Sequence, residues 1–205
     1  MAKSVEVQVA TDDLEFLKAN RYLLCFAKMV EGAYTVVWQS YSDYLSSNPF
    51  SWTSAYQLFG SRSVTNGGVL VTIDTNSVDI AFGEQATLDP DGNLESAVTG
   101  GPADGITMIN QYGPIYPGLN GVSTGPDGVQ RTTPVFVAPL AIAKGTDVLR
   151  PVDKVRIWFQ QDTRSGTVID TDTMLSQGVS VAVELDLTKV DSATAKYEQG
   201  GWSNP

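Results

Sequence analysis

Punctuation is the feature of this sequence that most limits what it can fold into. Two-residue alternation of apolar and polar side chains, and short β-branched runs, recur between clusters of Gly, Pro, Asn and Asp spaced about 8 to 12 residues apart, the interval of sandwiches and barrels. That interval suits strands and leaves almost no room for helices. Val5, Val7 and Val9 alternate with Ser4, Glu6 and Gln8. Strand character is also expected at 54–59, 68–74, 78–82, 84–88, 94–98, 106–111, 133–142, 154–161, 167–170, 179–187 and 194–197. Segments 21–30 and 33–41 flank Glu31-Gly32 as a hairpin, and Asp89-Pro90-Asp91-Gly92-Asn93 is a turn. One short helix is expected, capped by Asp12 with Glu15 three residues on and ending near Asn20.

About a dozen strands are too many for one open sheet of ordinary size. The expected fold class is therefore all-β: a two-sheet, mainly antiparallel β-sandwich with at most one short N-terminal helix. Residues 154–159 set Val155, Ile157 and Phe159 on one face and Lys154, Arg156 and Trp158 on the other. Between 99 and 133 Gly and Pro are dense enough to read as a long loop, with a strand only at 106–111. A linker joining two small domains is the alternative. Each half would lack disulfides and metal ligands to support it, so one domain over 1–205 is preferred.

Charge narrows the function classes. The chain carries 13 Lys+Arg against 23 Asp+Glu, for a net charge of −10. No Lys or Arg lies between Arg62 and Arg131, whereas Asp74, Asp79, Glu84, Asp89, Asp91, Glu95, Asp104 and Asp127 do. Such a surface repels phosphates, so nucleic acid and anionic lipid headgroups are not expected as partners. The acidity serves solubility or attracts a cationic partner. With no His there is no Ser-His-Asp or Cys-His chemistry and no imidazole metal site. Walker, G-x-G-x-x-G, G-x-S-x-G and C-x-x-C patterns are missing as well.

Residues 1–13 alternate where a secretory peptide needs a continuous apolar run, so cytoplasmic synthesis without a signal peptide is expected. No stretch approaches the roughly 20 apolar residues of a spanning helix. The single Cys25, in an apolar run, is expected in the core.

Aromatic residues carry the candidate site. Eight of nineteen fall between Tyr34 and Phe59, and the polar stretch 41–52 sets Tyr41, Tyr44, Phe50 and Trp52 on what reads as a loop. Tyr112 and Tyr116 lie on a second loop rich in Gly and Pro, beside Asn110, Gln111 and Asn120. Flat rings stack on sugar C–H faces while amides and carboxylates hold hydroxyls, so these six residues are the expected ligand-binding set. The competing reading plugs one end of the fold with the same rings. Asp89, Asp91, Asn93 and Glu95 resemble half a calcium loop, but no helix precedes them and the distal Glu is missing. Asp162, Asp170 and Asp172 read as solvated strand ends.

Neither cofactor nor metal is expected. Paired carboxylates suffice for glycoside hydrolysis, but with 23 acidic residues a bare pair carries no weight. The expectation is a non-enzymatic, lectin-like binding protein that engages glycan or a cell-surface partner. The alternatives are a membrane-active cytolysin or insecticidal-type toxin, from the alternating segments 68–74 and 179–187, and a structural, self-assembling homo-oligomer.

Overall fold

The computed structural model describes residues 2–64, 67–169 and 182–203. Among them are seventeen strands in four sheets and one helix. The largest sheet orders β11 (Gln130–Val137), β10 (Tyr116–Thr124), β5 (Ser47–Ser61), β1 (Lys3–Val9), β16 (Ser192–Glu198) and β17 (Gly201–Ser203), with β6 (Val78–Ile80) also on β5. A second orders β12 (Gly145–Leu149), β9 (Ile106–Asn110), β7 (Glu84–Leu88) and β8 (Val98–Thr99). A third orders β15 (Val183–Asp186), β13 (Pro151–Gln160), β2 (Leu23–Val30) and β4 (Gln39–Tyr41), and β14 (Thr167–Val168) pairs β3 (Val36–Val37). Pairing is antiparallel except at β1–β16 and β7–β9. The expected dozen strands in two sheets thus become seventeen in four, because several arms change partner part-way.

The hairpin at Glu31-Gly32 shows the change. Both turn residues take positive φ, at 50° and 73°, and Leu24, Cys25 and Phe26 pair with Tyr41, Ser40 and Gln39. Between these pairs Val36 and Val37 leave to join Thr167 and Val168. The departure covers the second face of the third sheet. There Cys25, Ala27 and Trp158 bury against Val37, while Leu24, Phe26, Val155, Ile157 and Phe159 face the main core. Burial pushes the Cys25 thiol far up, so it packs as a small apolar group.

The largest and third sheets meet through rings: Phe26 stacks on Phe50 at 4.2 Å and Phe159 on Trp202 at 5.4 Å. Stretch 41–52 is therefore not one loop. From Ser47 onward it is strand, with Asn48, Phe50 and Trp52 inward and Ser47 and Pro49 outward. Buried Asn48 makes the entry: its Oδ1 accepts Leu45 N–H at 2.7 Å, and its amide donates to the Val7 and Leu45 carbonyls.

The Gly- and Pro-rich middle also carries strands that were not expected at 116–124 and 130–132. Its glycines provide clearance. A Cβ at Gly118 would lie 2.2 Å from the Phe59 ring, one at Gly121 3.2 Å from Trp38, and one at Gly125 would overlap the Tyr41 hydroxyl. Segment 68–74, expected as a strand, forms no regular strand: it has a bridge from Leu70 to Thr167 and backbone bonds to Gly166, Val168 and Gly60, whereas 94–98 has a bridge from Leu94 to Leu88 and enters β8 only at Val98, opposite Gln85. The helix α1 runs Thr11–Ala19 and ends at Asn20, but Ala10 is its N-cap and no side chain caps it. Asp12 is in its first turn, and neighbouring Asp13 accepts the Gln199 and Gly200 N–H groups instead. Of the strands expected at 167–170 and 179–187, residues 170–181 lie outside the described residues.

Candidate functional site

The six rings expected to form a site are divided by the fold. Tyr44, Phe50 and Trp52 are 0%, 1% and 2% exposed, which corrects their assignment as ligand-binding residues: they are core. The cause is strand pairing. Val5 opposite Phe50 and Lys3 opposite Trp52 lock alternate side chains of β5 inward, and Tyr44 donates its hydroxyl to the Tyr22 carbonyl at 3.1 Å.

Tyr41 is half-buried. Its ring fills the space left by Gly125, meets Phe26 edge-on at 6.2 Å and carries the Arg131 guanidinium at 5.8 Å. Burial pushes its phenol up to about 12, against the opposing pull of Arg131. Arg131 is itself bound to Asp127, so this ring is anchored within the protein.

Tyr112 and Tyr116 retain solvent exposure. Buried Asn110, at the end of β9, sets the position of Tyr112: its Oδ1 accepts the Tyr112 and Gly113 N–H groups at 3.0 and 3.3 Å. Its amide donates to the Gly113 and Ala143 carbonyls at 2.6 and 2.9 Å. This one side chain turns the strand into the loop. Just beyond the end of β5, Arg62 lays its guanidinium over the Tyr112 ring at 5.5 Å, and Asp74 Oδ2 fixes the backbone there by accepting the Arg62 main-chain N–H at 2.6 Å. The 89–93 turn closes the other approach. A Cβ at Gly92 would stand 3.2 Å from Tyr112 and 3.6 Å from Arg62 Nη2, and the φ of +87° favours glycine independently. Tyr116 opens β10 opposite Ser61, one residue before Arg62.

Among the described residues Arg62 has no ion-pair partner, and no protein group bonds the Tyr112 hydroxyl. The arrangement offers a planar donor array beside a phenol, suited to hydroxyl or carboxylate oxygens. Arg62 and Asp74 were not anticipated from sequence, and Asn110, expected beside the rings as an amide for ligand hydroxyls, is instead buried and spent on the loop backbone. The one available signal was that Arg62 is the last cation before the long acidic stretch.

Asp89 is committed to its own turn, accepting the Asp91 and Asn93 N–H groups at 2.9 and 2.8 Å. These backbone bonds, with Asn93 foremost, hold its carboxyl below the usual range. Among the described residues no three acidic or thiol groups gather as a metal cage, and no helix is long and apolar enough to cross a membrane. Asp170 and Asp172 lie outside the described residues. No family model matches the chain, and neither the curated proteins nor the solved structures include a match to it.

Proposed function

We propose that the protein is a non-enzymatic binding protein that recognises glycan through the Gly/Pro loop end at Tyr112, with Tyr116 beside it. The observation that carries this reading is the pairing of an exposed arginine, Arg62, with the half-buried Tyr112 ring on a loop pinned by a buried asparagine. Its geometry is set before a ligand arrives, which reduces the ordering cost of binding. Asp89, Asp127, Asp153 and Asp186 all sit below the usual carboxylate range. Each is held there by partners within the protein, so none of the four is a carboxylic acid poised to donate a proton. On this reading the largest and third sheets form a sandwich-like scaffold, with the second sheet as an addition that carries the 89–93 turn.

Tyr112→Ala and Arg62→Gln, each checked for native circular dichroism, test the reading on a glycan array. Loss of bound glycans in both variants supports it. A retained profile in folded variants refutes it.

A membrane-active reading has one observation in its favour. Val69, Leu70 and Ile73 are 47%, 39% and 39% exposed on a segment that forms no regular strand and is held by backbone bonds to Gly166, Val168 and Gly60. Dye release from liposomes that Val69→Ser/Ile73→Ser abolishes would favour it over the glycan reading.

A further inference from the structure

The edge of β5 is interrupted. β1 pairs with β5 as far as Lys3 opposite Trp52, and β6 takes up the same edge at Ile80 opposite Tyr56. Both share that edge because β10 runs along the other one. On the β10 side the register slips, so that Gly121 faces Tyr56 and Ser123 faces Trp52. Thr53, Ser54 and Ala55 have no strand partner on the β1/β6 edge, bulge opposite Val122 on the β10 edge, and are all exposed. Interruptions of this kind in a sheet present unpaired backbone donors and acceptors to another chain.

A groove of about 600 Å³ opens at this gap. Ser54 and Ala55 line one side, Ile80 and Ala81 continue from β6, and Asp79 and Glu84 supply carboxylates. Asp79 is held by a relay of amides: buried Asn120 donates to Gln57 Oε1 at 3.4 Å, and Gln57 donates to Asp79 Oδ1 at 2.9 Å. Glu84 Oε2 accepts the Ala81 N–H at 2.8 Å. Each carboxylate keeps an oxygen uncommitted, and among the described residues neither has an ion-pair partner. The lining contains no cation, and the chain has none between Arg62 and Arg131.

We infer that this groove binds an extended cationic peptide segment, which adds as a short strand to Thr53–Ala55 and directs Lys or Arg side chains to Asp79 and Glu84. Unpaired backbone selects an extended chain, because main-chain bonding is the source of affinity in strand addition. The unneutralised carboxylates select its charge, since opposite potentials across an interface set partner choice. Alternation along an extended peptide places every second side chain on the same face, so a basic residue at alternate positions meets the carboxylates while its neighbours face solvent. This site shares no residue with the Arg62–Tyr112 end and does not depend on the glycan reading.

The probe is a fluorescein-labelled, end-blocked octapeptide alternating Lys and Thr. Anisotropy measures its affinity for the full chain, and amide chemical shifts locate it. Binding with shifts at Thr53, Ser54 and Ala55 is expected. Asp79→Asn/Glu84→Gln should weaken it at least about tenfold, as expected when charge-assisted bonds are lost while the neutral amides keep the internal acceptors. On the unaltered protein, N-methylation of alternate peptide amides should weaken it comparably, because the backbone donors are removed and the charge is kept. Equal binding of the N-methylated peptide would overturn strand addition. Undiminished binding by the double variant, saturation by spermine or a glucosamine oligomer with the same shifts, or no binding at millimolar peptide would each overturn the proposal.

Discussion

Lys28 is 1% exposed and donates to Asp153 Oδ1 at 2.7 Å, whereas the Asp153 side chain is 25% exposed. Trp52 Nε1 donates to the same oxygen at 3.0 Å, and the ammonium lies 5.0 Å from the Trp52 ring. Burial pulls the Lys28 ammonium below its ordinary range, with Asp153 opposing. At Asp153 burial pushes upward, but the Lys28 bond and charge and the Trp52 N–H outweigh it and hold the carboxyl low. The two partners are therefore unequal. Asp153→Ala leaves a sealed ammonium without its counter-charge, at about 3–5 kcal/mol. Lys28→Met removes the buried charge at nearly constant volume, and the remaining carboxylate keeps water and the Trp52 N–H, so about 1 kcal/mol is lost. The double variant should be more stable than Asp153→Ala alone by about 2 kcal/mol or more, since no unpaired ion remains. Urea midpoints at unchanged slope measure all three, and a loss of about 3 kcal/mol corresponds to about 6–12 °C in Tm for a chain this long. Equal losses in the two single variants, or no recovery in the double one, would refute the reasoning.

Gly118→Ala should cost about 1–3 kcal/mol by overpacking against Phe59. Adding Phe59→Leu, which removes the ring atom at 2.2 Å, should cost less than the two changes summed; a Tm for Gly118→Ala within 1 °C of the parent would contradict the close packing. Asp186 titrates at about 2 because the Thr188 side-chain and backbone bonds, then Lys154, favour its ionised form. Its folded value lies below the unfolded one, so its contribution is complete above about pH 4 and is lost as the pH falls toward 2. Asp153 acts in the same direction, and urea midpoints should be level from pH 5 to 7 and fall below 4, less steeply in Asp186→Asn.

Local chemistry was legible wherever it acts alone. The turn at 89–93 follows from one Asp side chain and one Gly, and Glu84–Leu88 was read to the residue. The two faces of 154–159 were also read, although Trp158 is sealed by a second layer that periodicity does not reveal. What sequence could not show is clearance between distant segments. Gly118, Gly121 and Gly125 read as breakers, yet each makes room for a ring on another strand. The alternation at 47–52 was present but hidden, because Asn48 and Pro49 signal a turn unless Asn48 is known to bond Val7. The site divides likewise. Tyr112 is recognisable from its own loop, while Arg62 acquires a role only once β5 and β10 bring it across.

Lys3–Val9 occupies an interior place in the largest sheet, and one of its two partners is Ser192–Glu198. A ribosome working at about 5–20 residues per second needs roughly 10–40 s to reach that partner. Throughout that interval the nascent chain holds an aliphatic strand with one side open, so a holding chaperone or fast translation should raise the soluble yield. Synonymous codons that slow elongation between the two segments should lower it.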